Sequence, residues 1–334
     1  MNPDNTNIRI ALPSKGRLSS EALDLFSNAG MPIFKPNPRQ YQATIPNLPE
    51  VNVIFQRAGD IVTSVRDGSV EFGITGWDIY SEKMTKNGDL LVLLRDLRFG
   101  SCTLNVIVPE KWQNIQTVDD LANWQKSIGR PIRVATKFPV LTEKFFKKNN
   151  ITNLIMIASE GTLEIAPTIG YADVIVDLIS SGTTLRDNRL KALQDGLILH
   201  SQACLLGNRQ TLKNDPNVLG TARRLIEFIV AHLRAVDNVS IFANIRGDSP
   251  ERIADRMLAK SVIGGLQGPT ISPILNQDSS NWYAVHLIVR KDQLSNAIRE
   301  IREVGGSGVV VSPVMYIFEE EPAAFQELLS FLEV

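Results

Sequence analysis

The sequence predicts an α/β protein: a two-lobed body of strands alternating with helices, then a smaller C-terminal module. Three observations predict it. Short β-branched apolar runs alternate with amphipathic helical stretches through the first two thirds of the 334 residues. Several of these runs end on glycine beside a charged or hydroxyl residue, as strands do where a sheet presents its carboxyl edge to a ligand. After Asn238 the order changes to strand, helix, two strands, helix, strand.

Ile8–Pro13 is the first strand. Ser14-Lys15-Gly16-Arg17-Leu18 is a turn with two cations, and Ser19-Ser20-Glu21 opens a helix that carries Leu23, Leu25 and Phe26 and stops at Gly30. These residue types leave two readings for Lys15 and Arg17: solvated charges, or an anion site ahead of a helix. Val51–Phe55 and Phe72–Gly76 are further short strands, followed by Arg57 and Asp78, which suit either a surface ion pair or a ligand. Leu91–Leu94 leads through Gly100-Ser101-Cys102-Thr103 to a strand at Leu104–Val108, read as the crossing into a second lobe. In that lobe Pro131–Lys137 is strand and turn, Leu141–Lys148 a helix, and Leu154–Ile157 a strand before Ser159-Glu160-Gly161-Thr162. Leu197–Leu206 reads as a strand crossing back, and Thr221–Leu233 as an outer helix. The expected division is lobe I over 1–103 and 197–233, and lobe II over 104–196.

The module over 238–334 has strands at Val239–Ile245, Ala284–Val289 and Val309–Val311, with helices at Pro250–Leu258 and Asp292–Glu303. Its β-α-β-β-α-β order is ferredoxin-like, of the ACT-like kind that often serves as a regulatory module. Gly264–Thr270 is its turn best suited to face a ligand. Glu319–Val334 is an acidic helix or tail.

Composition excludes several classes. A net charge of -1 gives no electrostatic case for nucleic acid or a membrane surface, so any polyanion site must be local. Cys102 and Cys204 are too few for a disulfide framework or a structural zinc site. His200, His232 and His286 are not spaced as metal ligands, and chemistry needing a histidine base is disfavoured. The polar N-terminus and the lack of a long apolar run make the cytoplasm the default, and are compatible with a plastid location after removal of a transit peptide.

The chain is organised around Ala172–Arg189. Val174-Ile175-Val176 is a buried strand ending on Asp177; Ser180-Ser181-Gly182-Thr183-Thr184 turns, and helical character begins at Leu185. Gly182 permits a tight turn, and free amides at a helix start attract an anion. The same residues could be a plain turn with Thr184 or Asp187 as N-cap. An acidic residue at the end of an apolar strand favours the phosphate reading, because it can orient ribose hydroxyls or a metal-bound water.

With these pieces in order the chain resembles ATP phosphoribosyltransferase, the enzyme of the first step of histidine biosynthesis, in its long, self-regulated form. Ala11–Leu18 resembles the family's Lys-Gly-Arg-Leu signature, Asp60-Ile61 and Phe72–Asp78 its second block, and Ala135–Thr142 its third. Ala172–Arg186 is similar to its phosphoribosyl-diphosphate signature, and Gly268–Pro273 to its regulatory motif. Ala58 replaces a common proline and Ser181 a common threonine. Residues 208–217 and the C-terminus are additions.

The resemblance implies transfer of phosphoribosyl from phosphoribosyl diphosphate to N1 of ATP, with release of pyrophosphate. It implies a two-lobed body like that of periplasmic solute-binding proteins. Ser180, Ser181, Gly182, Thr183 and Thr184 would hold the 5-phosphate, Asp177 the ribose, and Glu160 or Glu164 the ribose or a magnesium ion carried by the substrate. Lys15, Gly16, Arg17, Arg57 and Asp78 would meet ATP, with Asp177, Lys15 and Arg17 closest to the reaction. No resident metal is implied. Histidine would inhibit through the C-terminal module by way of Asn244 and Thr270, in an assembly ranging from dimer to hexamer. Two rivals differ in class. A solute-binding module would lack the Asp177–Thr184 loop, and a phosphoribosyltransferase for free bases would lack the Lys-Gly-Arg block and the C-terminal module.

Overall fold

The computed structural model describes residues 8–37, 39–84, 88–158, 163–266, 268–275 and 281–333. The chain divides into two compact units. Unit 1 comprises Met1–Ser27, Met31–Arg223 and Ala323–Val334; unit 2 comprises Asn28–Gly30 and Arg224–Pro322. No helix among the described residues is long and apolar enough to cross a membrane.

Unit 1 opens with β1 (Ile8–Pro13), α1 (Arg17–Asn28), β2 (Gln42–Thr44), β3 (Val51–Gln56), α2 (Ala58–Arg66), β4 (Phe72–Gly76), α3 (Trp77–Lys83) and β5 (Leu90–Leu94). It continues through β6 (Cys102–Pro109), α4 (Val118–Ile128), β7 (Ile132–Thr136), α5 (Pro139–Lys148), β8 (Leu154–Ala158), β9 (Val174–Ile179) and α6 (Thr183–Asp187). The elements β10 (Leu190–Ser201), β11 (Ala203–Asn208), α7 (Arg209–Asn214) and α8 (Pro216–Val236) follow, and α8 leads into unit 2.

Two sheets make the two lobes. The first has strand order β2-β3-β1-β4-β11-β5, with β1 parallel to both β3 and β4. All five residues of β4 are buried, which explains its unbroken run of small and apolar side chains. Helix α2 turns Ile61, Val62 and Val65 inward. Gly73 is required under it, because a Cβ there would lie 2.4 Å from Ile61 Cγ2 and 2.8 Å from Val65 Cγ2. The second sheet has order β10-β6-β9-β7-β8, with β7 parallel to β8 and β9, and β6 antiparallel to β9. Its core gathers Leu104, Val106, Val134, Phe146, Val174 and Val176. At the start of β9, Asp173 is 7% exposed and accepts hydrogen bonds from both Arg130 and Arg133 at 2.7–3.2 Å. Burial pushes its carboxyl up, but the two guanidinium groups outweigh burial and hold it well below the usual carboxylate range.

Unit 2 carries β12 (Asn238–Arg246), α9 (Pro250–Leu258), β13 (Thr270–Pro273), β14 (Trp282–Arg290), α10 (Leu294–Glu303) and β15 (Gly306–Pro313). The sheet order β13-β14-β12-β15, antiparallel throughout, is the ferredoxin-like arrangement expected, with β13 supplying the strand that the sequence reading did not locate. One face packs Ile241, Ile245, Val285, Leu287, Ile253, Met257, Ala297 and Ile301. Past β15 the chain returns along α8, where Phe228 meets Tyr316 and Phe318 edge-on. The last helix, α11 (Ala323–Leu332), belongs to unit 1 again. It buries Phe325, Leu328 and Leu332, and packs against β5 and α7. Arg209 donates to the Phe331 carbonyl at 2.8 Å.

Three differences from the sequence reading have physical causes. Strand β9 does not stop at Asp177 but runs to Ile179, because β6 pairs with it through Leu104↔Leu178 and Thr103↔Ile179. The helix after the hydroxyl turn is α6, of only five residues. A single turn sums few peptide dipoles, so its field is a minor attraction for an anion. The strand read at 197–206 is two strands. Asp78 grips Ser201 and Trp77 donates to the Gln202 carbonyl at 2.8 Å, which breaks the run at Gln202 between the second sheet and the first.

Candidate functional site

Parallel pairing in the first lobe brings the carboxyl ends of β3, β1 and β4 to one edge. Ser14 donates to the Gln56 carbonyl at 2.7 Å, so the turns after β1 and β3 lie side by side. That edge carries Lys15, Gly16, Arg17 and Arg57, all but Gly16 with exposed charged side chains. Gly16 has φ +75°, which lets the turn feed α1. Glu21, one helical turn on, accepts from Arg17 Nε at 3.1 Å and with its other oxygen from the Gly100 amide at 3.1 Å. The start of α1 is thereby tied to the crossing between lobes.

Asp78 lies on the same edge but points inward. It is 4% exposed. Its N–H donates to Ser201 Oγ at 2.9 Å, and the Ser201 hydroxyl donates back to Oδ1 at 2.5 Å. Burial pushes its carboxyl up, opposed by the Ser201 bond and its own backbone. Arg17, Asp78 and Ser201 all act on the Cys102 thiol at the first residue of β6, which burial and Asp78 push up. The lobe I edge and the two crossings therefore meet around these residues.

In the second lobe, Asp177, Ser180, Ser181, Gly182 and Thr184 line one cavity of about 320 Å³, together with Lys137 and Glu164. Gly182 has φ +72° and turns the chain into α6. Thr183 is not on that lining; its hydroxyl accepts from Ser181 at 3.1 Å and braces the turn. Burial pushes the Asp177 carboxyl up; the Leu178 N–H, donating at 2.8 Å, and Lys137 pull it down, and Glu164 pushes it up again. Glu160 lies outside the described residues.

A clasp joins the lobes. Helix α5 begins after Phe138, which offers no side-chain cap. Glu82, on α3 of the other lobe, fills that role, accepting from Val140 N at 2.8 Å and Leu141 N at 2.9 Å. Burial pushes its carboxyl up, against both amides. Replacing Glu82 with alanine is expected to cost about 1 kcal/mol and to speed amide exchange at Val140 and Leu141. Unchanged exchange there would mean that the clasp is not made in solution.

In unit 2, Asn244 and Thr270 are exposed on the face of the sheet opposite the helices. Thr270 pairs with His286, whose ring stacks on Phe242 at 4.4 Å and shares a 2.8 Å hydrogen bond with Ser240. Asn244 is two residues along β12 from Phe242, so both share this face.

Sequence reasoning did not single out Lys137, Glu82 or Ser201. Lys137 was within reach, since it directly follows a strand beside the central one. Glu82 and Ser201 are not local features: their partners lie 58 and 123 residues away.

The chain matches the family described as ATP phosphoribosyltransferase over residues 57–235, and the HisG C-terminal domain over residues 235–316. It is 40% identical to ATP phosphoribosyltransferase 1, chloroplastic, of Arabidopsis thaliana, covering 99% of this chain and 82% of that protein. It is 33% identical to the ATP phosphoribosyltransferase of Rhodopseudomonas palustris, covering 97% and 98%. Among solved structures it is similar to the ATP phosphoribosyl transferase (HisG:HisZ) complex of Thermotoga maritima, with a TM-score of 0.53 at 22% identity, over 67% of this chain and 98% of that one; this likeness speaks to the fold alone. The two α/β lobes and the matched C-terminal domain agree with those comparisons, and the chain belongs to the ATP phosphoribosyltransferase family, in its long form.

Proposed function

We propose that the phosphoribosyl-diphosphate site of this transferase is the lobe II cavity, with ATP entering from the lobe I edge. The observation that carries the reading is the convergence of Asp177 with Ser180, Ser181, Gly182 and Thr184 on one cavity. Three hydroxyls and turn amides suit a phosphate monoester, and a carboxylate beside them suits vicinal ribose hydroxyls. Thr183 supports the turn through its bond with Ser181. Joining adenine N1 to the anomeric carbon passes through an oxocarbenium-like centre, so the protein's task is alignment and charge stabilisation rather than covalent chemistry. Lys15, Gly16, Arg17 and Arg57 would hold ATP and the departing pyrophosphate, with Arg able to bind oxygens in pairs. Asp78 would shape that edge by holding Ser201. A magnesium ion carried by the substrate would be met by Glu164, beside Asp177 on the same cavity.

The C-terminal module is proposed to bind histidine as a feedback inhibitor on the open face carrying Asn244 and Thr270. Binding there must favour one global state over another to slow turnover. Self-association from dimer to hexamer is proposed with it. The chloroplastic relatives favour a plastid location over the cytoplasm. An absorbance assay for phosphoribosyl-ATP, with pyrophosphatase present, tests the reading. Product formation that falls on adding histidine is expected, and the fall should be lost in Asn244→Ala or Thr270→Ala. Inhibition unchanged in both variants would move the effector site elsewhere.

A further inference from the structure

The lobe II cavity holds two carboxylates, Asp177 and Glu164, and among the described residues lining it Lys137 is the only cation. A cavity with that balance repels a polyanion unless the cation meets it. The placement of Lys137 follows from the sheet. The parallel pairing of β7 with β9 ends at Thr136↔Val176, so Lys137 stands level with Asp177 on the neighbouring strand. Its backbone is fixed on both sides: Thr136 is fully buried and Phe138 is 5% exposed. The Phe138 N–H donates to Thr136 Oγ1 at 2.9 Å. Between these two anchors Lys137 itself is exposed. The α5 start that follows is the one Glu82 holds, so the segment bearing the lysine is referenced to both lobes.

We propose that Lys137 is a substrate-contacting residue that binds the 5-phosphate of phosphoribosyl diphosphate, opposite the Ser180–Thr184 turn. It thereby offsets the negative charge of Asp177 and Glu164 while leaving Asp177 free for the ribose. The inference rests on the reading of the turn as the 5-phosphate site. No bond is made or broken by the lysine; it supplies one charge-assisted contact.

The test compares wild type, Lys137→Met, Lys137→Arg and Ser181→Ala. In Lys137→Met the KM for phosphoribosyl diphosphate should rise about tenfold or more with the KM for ATP unchanged, and Lys137→Arg should recover most of the loss. Inhibition by ribose 5-phosphate should weaken in parallel, while inhibition by pyrophosphate should not. The midpoint of thermal unfolding should stay where it is, because Lys137 is exposed. If Ser181→Ala raises the KM for phosphoribosyl diphosphate and Lys137→Met does not, the lysine assignment falls and the turn stands. If neither variant changes it, the reading of the turn falls. Weakened pyrophosphate inhibition with ribose 5-phosphate unaffected would overturn the 5-phosphate placement.

Discussion

Asp177→Asn should lower turnover by about 100-fold to 1,000-fold without unfolding the protein. The substitution keeps the shape and one acceptor oxygen but removes the charge and the second acceptor that vicinal ribose hydroxyls require. Because burial in the cavity raises the Asp177 carboxyl, and Leu178 and Lys137 only partly restore it, the acidic limb of kcat/KM should lie higher than an unperturbed aspartate would give. In the asparagine variant that limb should vanish. A pH–rate profile across the acid side checks both statements. Turnover within a few-fold of wild type would remove Asp177 from the ribose.

Asp78→Ala should cost about 2–3 kcal/mol, by stranding the Ser201 hydroxyl in a buried site at the crossing between lobes. Activity should fall with it, since Cys102 and Arg17 share that junction. Asp78→Asn separates charge from shape. The folded-state pKa of Asp78 is raised, so the folded protein binds this proton more tightly than the unfolded chain does. Its stabilising effect is complete below the unfolded value and is lost as pH rises through the folded one. Wild type should therefore gain on Asp78→Asn as pH falls through the raised folded-state value toward the unfolded carboxylate value of about 4. Urea midpoints at several pH values measure the difference. A difference that shrinks on acidification would contradict the buried, protonatable carboxyl.

How far the sequence carries depends on whether a signal is local. Pro250 after Ser249 and the apolar spacing of Ile253 and Met257 mark α9 to the same residues in both readings. Lys15, Arg17 and Arg57 are legible because glycine and charge follow β-branched runs. Asp177 is legible for the same reason. The continuation of β9 is not, since Leu178 and Ile179 are held by pairing with β6, 74 and 76 residues away, and Leu178 is 37% exposed. The brevity of α6 is equally hidden: Arg189 takes φ +53° and Leu190 is claimed by β10. The Glu82 clasp and the Asp78–Ser201 pair join distant segments for which no spacing rule exists. The sequence leaves Glu319–Val334 as a helix or a tail, and nothing in its residues says which sheet receives α11.

The route of the chain into unit 2 and back has a practical meaning for anyone who would take the enzyme apart. α8 leads out, and α11 comes home to β5 and α7, beside a cavity of about 270 Å³ lined by Tyr80, Leu93, Leu328 and Phe331. A stop codon placed after α8 would thus amputate two things at once, the module and a piece of the catalytic body. It would leave an apolar strip of lobe I bare to solvent and to its neighbours. Aggregation after such a cut would carry no message about regulation. The severable piece is an interior one: excising 224–322 and splicing Arg223 to Ala323 is the surgery that would ask whether the body works unsupervised.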